Sequence, residues 1–153
     1  MNIIKPKGFI EAKIRYKNTN EIRTIRFNNQ VLNGGKELLA KCLLEGSPRL
    51  HIAYMLFGDG GTVGGLPKEV SPSQDKLNGI TRIKKPVIAQ LDADIPTQVI
   101  FSVVVDDNDG NDSPLNEMGL ELSDGTLFSL STFADLNKTD QMEMSWSWFA
   151  NIV

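Results

Sequence analysis

A chain of 153 residues fits one domain, and 41% hydrophobic with 23% charged residues supports a packed core rather than global disorder. A net charge of -3 leaves no chain-wide electrostatic footprint for nucleic acid. The single cysteine, Cys42, excludes an intrachain disulfide and a paired-cysteine zinc site. No apolar run of about 18 residues predicts a membrane span, and the Met1–Pro6 stretch has no apolar core of a secretion signal.

In chain order, Gly8 to Lys17 alternates cleanly. Ile10, Ala12, Ile14 and Tyr16 point one way, and Glu11, Lys13, Arg15 and Lys17 the other, as in a half-buried strand. Asn18-Thr19-Asn20 reads as a turn, because asparagine tolerates positive φ, and Glu21 to Phe27 as the returning strand. Asn33-Gly34-Gly35 opens a helix over 34–45, with Asn33 as its cap and Leu38, Leu39, Cys42 and Leu43 as an apolar stripe. Gly46 and Pro48 stop it. Cys42 falls in that stripe and reads as a buried, inert thiol.

His51 to Phe57 is a dense apolar strand that runs into Gly58-Asp59-Gly60-Gly61-Thr62-Val63-Gly64-Gly65. No Gly-Lys-Ser/Thr and no helix-forming run follow, so this is a loop with several positive-φ glycines rather than a phosphate cradle. Residues 66–86 carry Pro67, Pro72, Gly79 and Pro86 and read as a long ordered arm that contacts something, such as a neighbouring subunit. Arg82, Lys84 and Lys85 form a small basic cluster within it. Val87–Leu91 and Thr97–Val105 are strands, the second apolar and β-branched enough for a central position.

Asp106-Asp107-Asn108-Asp109-Gly110-Asn111-Asp112-Ser113 is dense in oxygen donors, and Asp106, Asn108 and Asp112 are the candidate calcium ligands. Its glycine is at the fifth position, not the sixth, and no flanking helices are expected. An acidic hairpin loop without an ion is the favoured reading.

Three further strands follow: from Leu115 to Leu122, from Gly125 to Phe133, and from Met142 to Val153. In the last, Met142, Met144, Trp146 and Trp148 share one face. That face needs a partner layer, expected to be the helix bearing Leu39 and Leu43 or an opposing sheet carrying Val99 to Val105. The expected core is Ile14, Leu39, Leu43, Met55, Phe57, Ile100, Val103, Leu120, Leu127, Phe133, Trp146 and Trp148. Glu117 could be a general base, but no partner for it stands out, and His51 belongs to an apolar strand. Glu117 therefore reads as a structural polar position. No catalytic, metal or cofactor constellation is assigned.

Several stretches together resemble small structural proteins of tailed bacteriophages, of the tail-fibre, tail-collar and baseplate-associated type. They are Val31-Leu32-Asn33-Gly34-Gly35-Lys36-Glu37-Leu38-Leu39-Ala40, Met55-Leu56-Phe57-Gly58-Asp59-Gly60-Gly61-Thr62, Leu115-Asn116-Glu117-Met118-Gly119-Leu120, Gly125-Thr126-Leu127-Phe128-Ser129, Thr132-Phe133, Lys138-Thr139 and Trp146-Ser147-Trp148. It is their order and spacing from about Gly8 onward that carry the likeness. The resemblance implies a β-rich virion structural protein and carries over no catalytic residues.

The resulting expectation is a mainly β chain: an antiparallel β-sandwich with one short α-helix packed on it. Residues 1–7 form an N-terminal arm, and 8–153 a single domain with an extended loop at 66–86. The expected function is a non-enzymatic bacteriophage virion structural protein at the tail, collar or baseplate, made in the host cytoplasm and bound to other virion proteins and to copies of itself. Neither nucleic acid nor membrane insertion is expected. A capsid decoration protein or a receptor- or glycan-binding fibre module is the alternative. A glycan hydrolase using Glu117 with an aspartate is a third reading. Interface candidates are Ile3, Ile4, Leu66, Val70, Arg82, Lys84 and Lys85.

Overall fold

The computed structural model describes residues 6–45 and 50–152. The first three strands are β1 (Pro6–Tyr16), β2 (Glu21–Asn28) and β3 (Gln30–Val31), followed by the helix α1 (Asn33–Glu45). Then come β4 (Ile52–Gly58), β5 (Thr62–Val63), β6 (Leu66–Pro67), β7 (Thr81–Pro86) and β8 (Ile88–Leu91). Four long strands end the chain: β9 (Gln98–Val105), β10 (Ser113–Leu122), β11 (Leu127–Lys138) and β12 (Met142–Ile152). They build two five-stranded antiparallel sheets, β2-β1-β12-β9-β8 and β3-β11-β10-β4-β7, and a small β5-β6 hairpin. The chain is mainly β with one helix, as its alternating patterns predict. Of the 1–7 arm, Pro6 and Lys7 already belong to β1, paired with Ile152 and Asn151.

Period-two patterning sets the register. On β1, Ile10, Ala12 and Ile14 are buried, facing Trp148, Trp146 and Met144 of β12 across the ladder. A one-residue slip would turn this set out to solvent, so burial of one face holds the register. Asn20, at φ 58°, makes the β1–β2 turn.

The tryptophan face finds a different partner from the one expected. Val99 to Val105 lie beside β12 in the same sheet, not opposite it, because β9 pairs with β12 directly. Trp146 instead packs against Phe57 of β4 and Phe133 of β11, with Phe27 of β2 stacked on Phe133. These four rings join the two sheets. The sheet phase also corrects the core: Phe101, Val103 and Val105 point inward, while Ile100 is only half-buried on the other face.

α1 lies on β11 through its first half. Gly34 and Gly35 allow the close approach: a Cβ on Gly35 would sit 2.6 Å from the Phe128 carbonyl oxygen. Leu38 and Leu39 pack on the core, but Leu43 is 81% exposed, so it is not the core residue that the stripe predicted. Helical spacing marks a stripe, but not how far the sheet beneath extends to cover it. Cys42, likewise, is only half-buried.

A candidate assembly surface

The outer face of the second sheet is itself apolar, and its Leu56, Leu127 and Leu130 are buried beneath a cover. The arm after β6 supplies the cover. Leu77 is buried there, and Val70 packs on the same small cluster with Leu32 and Tyr54. Residues 68–80 therefore fold over their own sheet, rather than extending as a free arm, because a bare leucine face would otherwise stand in water. The ends of the 66–86 stretch are regular strands, β6 and β7. Val70, an interface candidate, is half-buried in this packing.

Two adjacent side chains, Asn116 and Glu117, fasten the glycine loop, and Glu117 also fastens the arm. Glu117 is fully buried on β10, and both its oxygens are occupied. Oε1 accepts from the backbone N–H of Gly79 at 2.7 Å and of Gly60 at 3.1 Å. Oε2 accepts from the Asn78 backbone N–H at 2.8 Å and from Asn78 Nδ2 at 3.0 Å. Asn116 Oδ1 accepts from Gly61 N–H at 2.7 Å, and its Nδ2 donates to Thr62 Oγ1 at 3.1 Å and to Asp135 Oδ1 at 3.0 Å. Asp59 adds a third tie, accepting from Ile80 N–H at 2.9 Å and from Arg82 Nε at 2.6 Å. Burial pushes the Asp59 carboxyl up, but the bonds from Arg82 and Ile80 outweigh it and hold its pKa below 3.8.

This knot explains the glycines. At Gly60 a Cβ would stand 2.3 Å from Gly79 N, at Gly79 2.4 Å from Gly60 N, and at Gly61 2.2 Å from the Asn116 carbonyl oxygen. The expectation of positive φ holds for Gly64 (φ 58°) and Gly65 (φ 79°), the two-residue tip of the β5-β6 hairpin. In 58–61 the glycines serve close backbone approach instead. Next to the hairpin tip, the paired Val63 and Leu66 are 67% and 70% exposed, and Ile80 beside the knot is also exposed. The knot holds apolar side chains out in water.

A buried carboxylate that accepts four hydrogen bonds has no lone pair left for a substrate, so Glu117 is not placed to act as a general base. The basic cluster is neutralised one residue at a time. Arg82 pairs with Asp59 at 2.6 Å, Lys84 with Glu121 at 2.8 Å while lying over the Tyr54 ring, and Lys85 with Asp109 at 2.6 Å. Ile3 and Ile4 lie outside the described residues.

The acidic loop does not converge on a cation. Asp107 pairs with Lys17 at 2.6 Å and Asp109 with Lys85, and Asp106 Oδ1 accepts from Asn108 N–H at 2.8 Å. Asp112 takes up φ 62° at the end of the loop. Buried Lys138 donates to Asn111 Oδ1 at 2.8 Å and to the Thr139 carbonyl oxygen at 3.0 Å. Burial lowers its pKa from 10.5, an effect that Asp109, Asp106 and Asp107 oppose. Among the described residues, no group of three His, Cys, Asp or Glu side chains comes together as metal ligands. Lysines supplied by distant strands pair with Asp107 and Asp109, rather than with Asp106, Asn108 or Asp112, the candidate calcium ligands.

Sequence reasoning missed Asp59, Asn78, Gly79 and Asn116 as one constellation. The available signal was an Asn-Glu pair inside an otherwise apolar strand, in a chain with unexplained glycines elsewhere.

Among the described residues, no helix is long and apolar enough to cross a membrane. No curated protein and no solved structure matches the chain. A family model does, the phage tail-collar fibre protein N-terminal model, over residues 24–150, from within β2 to the last turns of β12. That span holds the glycine loop, the arm and the Asn116-Glu117 knot, and the chain belongs to the phage tail-collar fibre protein family, a family of phage tail structural proteins.

Proposed function

We propose that the chain is a non-enzymatic virion component, built in several copies into the tail at the collar or baseplate and acting by adhesion to other virion proteins. The observation that carries this reading is the apolar hairpin tip, Val63 and Leu66, held out by a buried polar knot. A single domain gains nothing from exposing a cross-strand valine-leucine pair on a rigid mount, whereas a surface to be buried in assembly does. Of the interface candidates, Leu66 fits this role best, with Val63 and Ile80 added. Arg82, Lys84 and Lys85 contribute a rim whose charges are already paired.

The test is incorporation. Particles purified from an infection carrying Val63→Ser with Leu66→Ser should lack the chain, while the isolated variant keeps the parent's circular dichroism and melting temperature. Absence of the unmodified chain from purified particles would sink the proposal, as would normal incorporation of the double variant. A receptor- or glycan-binding module is the second reading, and the open cleft lined by Asn33, Glu37, Ser73, Gln74, Asp75 and Thr126 is where it would bind.

A further inference from the structure

Among the described residues, four strands lie at the edges of the two five-stranded sheets, and three of them are guarded against further pairing. β2 carries Glu21 and Arg23 on the side that faces inward further along the strand, β7 carries Arg82, Lys84, Lys85 and Pro86, and β3 is two residues long. Such charges, prolines and short lengths are how sheets keep strangers from adding a strand. β8, Ile88-Ala89-Gln90-Leu91, has no charge and no proline. All four residues are exposed, Ile88 at 73% and Leu91 at 70%. Among the described residues it pairs with β9 alone.

The ladder shows which backbone groups are free. Asp92 N–H donates to the Gln98 carbonyl oxygen at 2.9 Å, and the β8–β9 register runs Gln90↔Ile100 and Ile88↔Ser102. Even-numbered residues therefore bond to β9, and the N–H and C=O groups of Ala89 and Leu91 point away from the sheet. The neighbouring outer face carries little charge: Ser102, Val104, Ser145, Ser147 and Phe149 lie across β9 and β12, and Glu143 at its far end is paired with Arg15.

We propose that β8 pairs antiparallel with β8 of a second copy of this chain, joining the two first sheets into one continuous ten-stranded sheet. With a two-fold axis at Gln90, Ala89 of each copy stands opposite Leu91 of the other, and these two pairs make four backbone hydrogen bonds. Leu91 of each copy then covers Ala89 of its mate, and the two Gln90 side chains meet at the axis. A second copy fits because the edge is neutral. Two copies approaching through β7 would have to desolvate the ion pairs of Arg82, Lys84 and Lys85, whereas β8 carries no charged side chain. This pairing is independent of where in the particle the chain sits.

Two variants of the full chain test it. Ala89→Pro removes one outward-pointing donor per copy without touching the β9 ladder. Sedimentation velocity should show a dimer for the parent and a dissociation constant about tenfold or more weaker for the variant. In a Cys42→Ser background, Gln90→Cys should form a disulfide-linked dimer on mild oxidation, because the facing Cα atoms at the axis would be about 4.5 Å apart, within disulfide reach. Val104→Cys, on the same face but away from the axis, is the control. A monomeric parent at about 100 μM, an Ala89→Pro protein that dimerises as well as the parent, or Gln90→Cys linking no faster than Val104→Cys would each overturn the pairing. Circular dichroism of both variants separates loss of pairing from loss of fold.

Discussion

Glu117 Oε1 accepts from the Gly79 backbone N–H at 2.7 Å, which ties a buried strand carboxylate to the end of a covering arm 38 residues away in sequence. Because the same carboxylate accepts from Gly60 and Asn78, it fixes the glycine loop and the arm in one geometry. Glu117→Gln keeps the volume but turns one acceptor into a donor. Whichever way the amide is turned, its NH₂ then faces backbone N–H groups. The expected loss is about 2–4 kcal/mol, read from urea denaturation. Proteolysis should begin within 68–80 in the variant, since the arm is what the bonds hold. Unchanged stability and unchanged cleavage would mean that Leu77 packing alone holds the arm.

The glycines of the knot and those of the hairpin tip should respond differently. Gly60→Ala puts a methyl group 2.3 Å from Gly79 N, where only backbone movement can relieve it. Its cost should be about 2 kcal/mol or more, in the range of overpacked sites. Gly64 has open space around its Cβ position and only a positive φ of 58° to satisfy. Gly64→Asn should therefore cost under about 1 kcal/mol, because asparagine tolerates that region. Thermal melts of the two variants side by side check the difference.

How far the sequence carries depends on how local the cause is. Strand alternation in β1 and β12 is local, so Ile10, Ala12, Ile14 and the Met-Trp face can be read directly, and all are buried. The hairpin turn at Asn20 is equally local. The layer opposite Trp146 was not legible, because strand β9 reads the same whether it neighbours β12 or faces it. Leu43 was misplaced for a similar reason: the length of the sheet under α1 is a tertiary fact. The arm reads as something that makes contacts, and it does, but with its own sheet. The knot was hidden because its donors are backbone groups of residues 60, 61, 78 and 79, which a side-chain pattern does not reveal. The acidic loop shows the same limit, since the lysines that answer it come from β11, β7 and the β1–β2 turn.

Acid should weaken the fold through a defined set of carboxylates. Backbone N–H bonds hold Asp92 and Asp124 below 3.8, and the Lys17 hydrogen bond does the same for Asp107. In Asp59 and Asp109 burial acts upward, but the bonds from Arg82 and Lys85 outweigh it. A folded pKa below the unfolded one gives stability that is fully present above the unfolded value and is lost as pH falls through the folded value. Melting temperature should thus be flat above about pH 5 and fall below about pH 4. Asp59→Asn should lower the plateau and flatten part of the acid limb. A melting temperature still rising as pH drops from 4 to 3 would contradict these assignments.

Lys138 brings a positive charge into the acidic loop from within the sandwich. Lys138→Ala removes the donor to Asn111 and Thr139 and leaves Asp106, Asp107 and Asp109 with less compensation. The expected cost is about 2–4 kcal/mol, since breaking a buried polar network is worse than never having built one. Amide exchange in 106–112 should accelerate in the variant while β9 remains protected. In the parent, added calcium should leave the melting temperature unchanged, because Lys17 and Lys85 already hold Asp107 and Asp109 and, among the described residues, no three acidic side chains converge on one point.

Trp146 is the hub of the core, with ring contacts to Phe27, Phe57 and Phe133 at centroid distances of 5.9, 5.0 and 5.8 Å. Trp146→Ala should cost about 3–5 kcal/mol, the range for emptying a large aromatic site. Its Nε1 is also buried with no hydrogen-bond partner in the structure. A partnerless N–H costs free energy that an apolar ring does not. Trp146→Phe should therefore lose less than the change in volume alone implies, about 1–2 kcal/mol, with the methylene and ring contacts largely kept. A loss for Trp146→Phe well above about 2 kcal/mol would show that the indole nitrogen is satisfied after all. Chemical denaturation, followed by the fluorescence of the remaining Trp148, reads both variants.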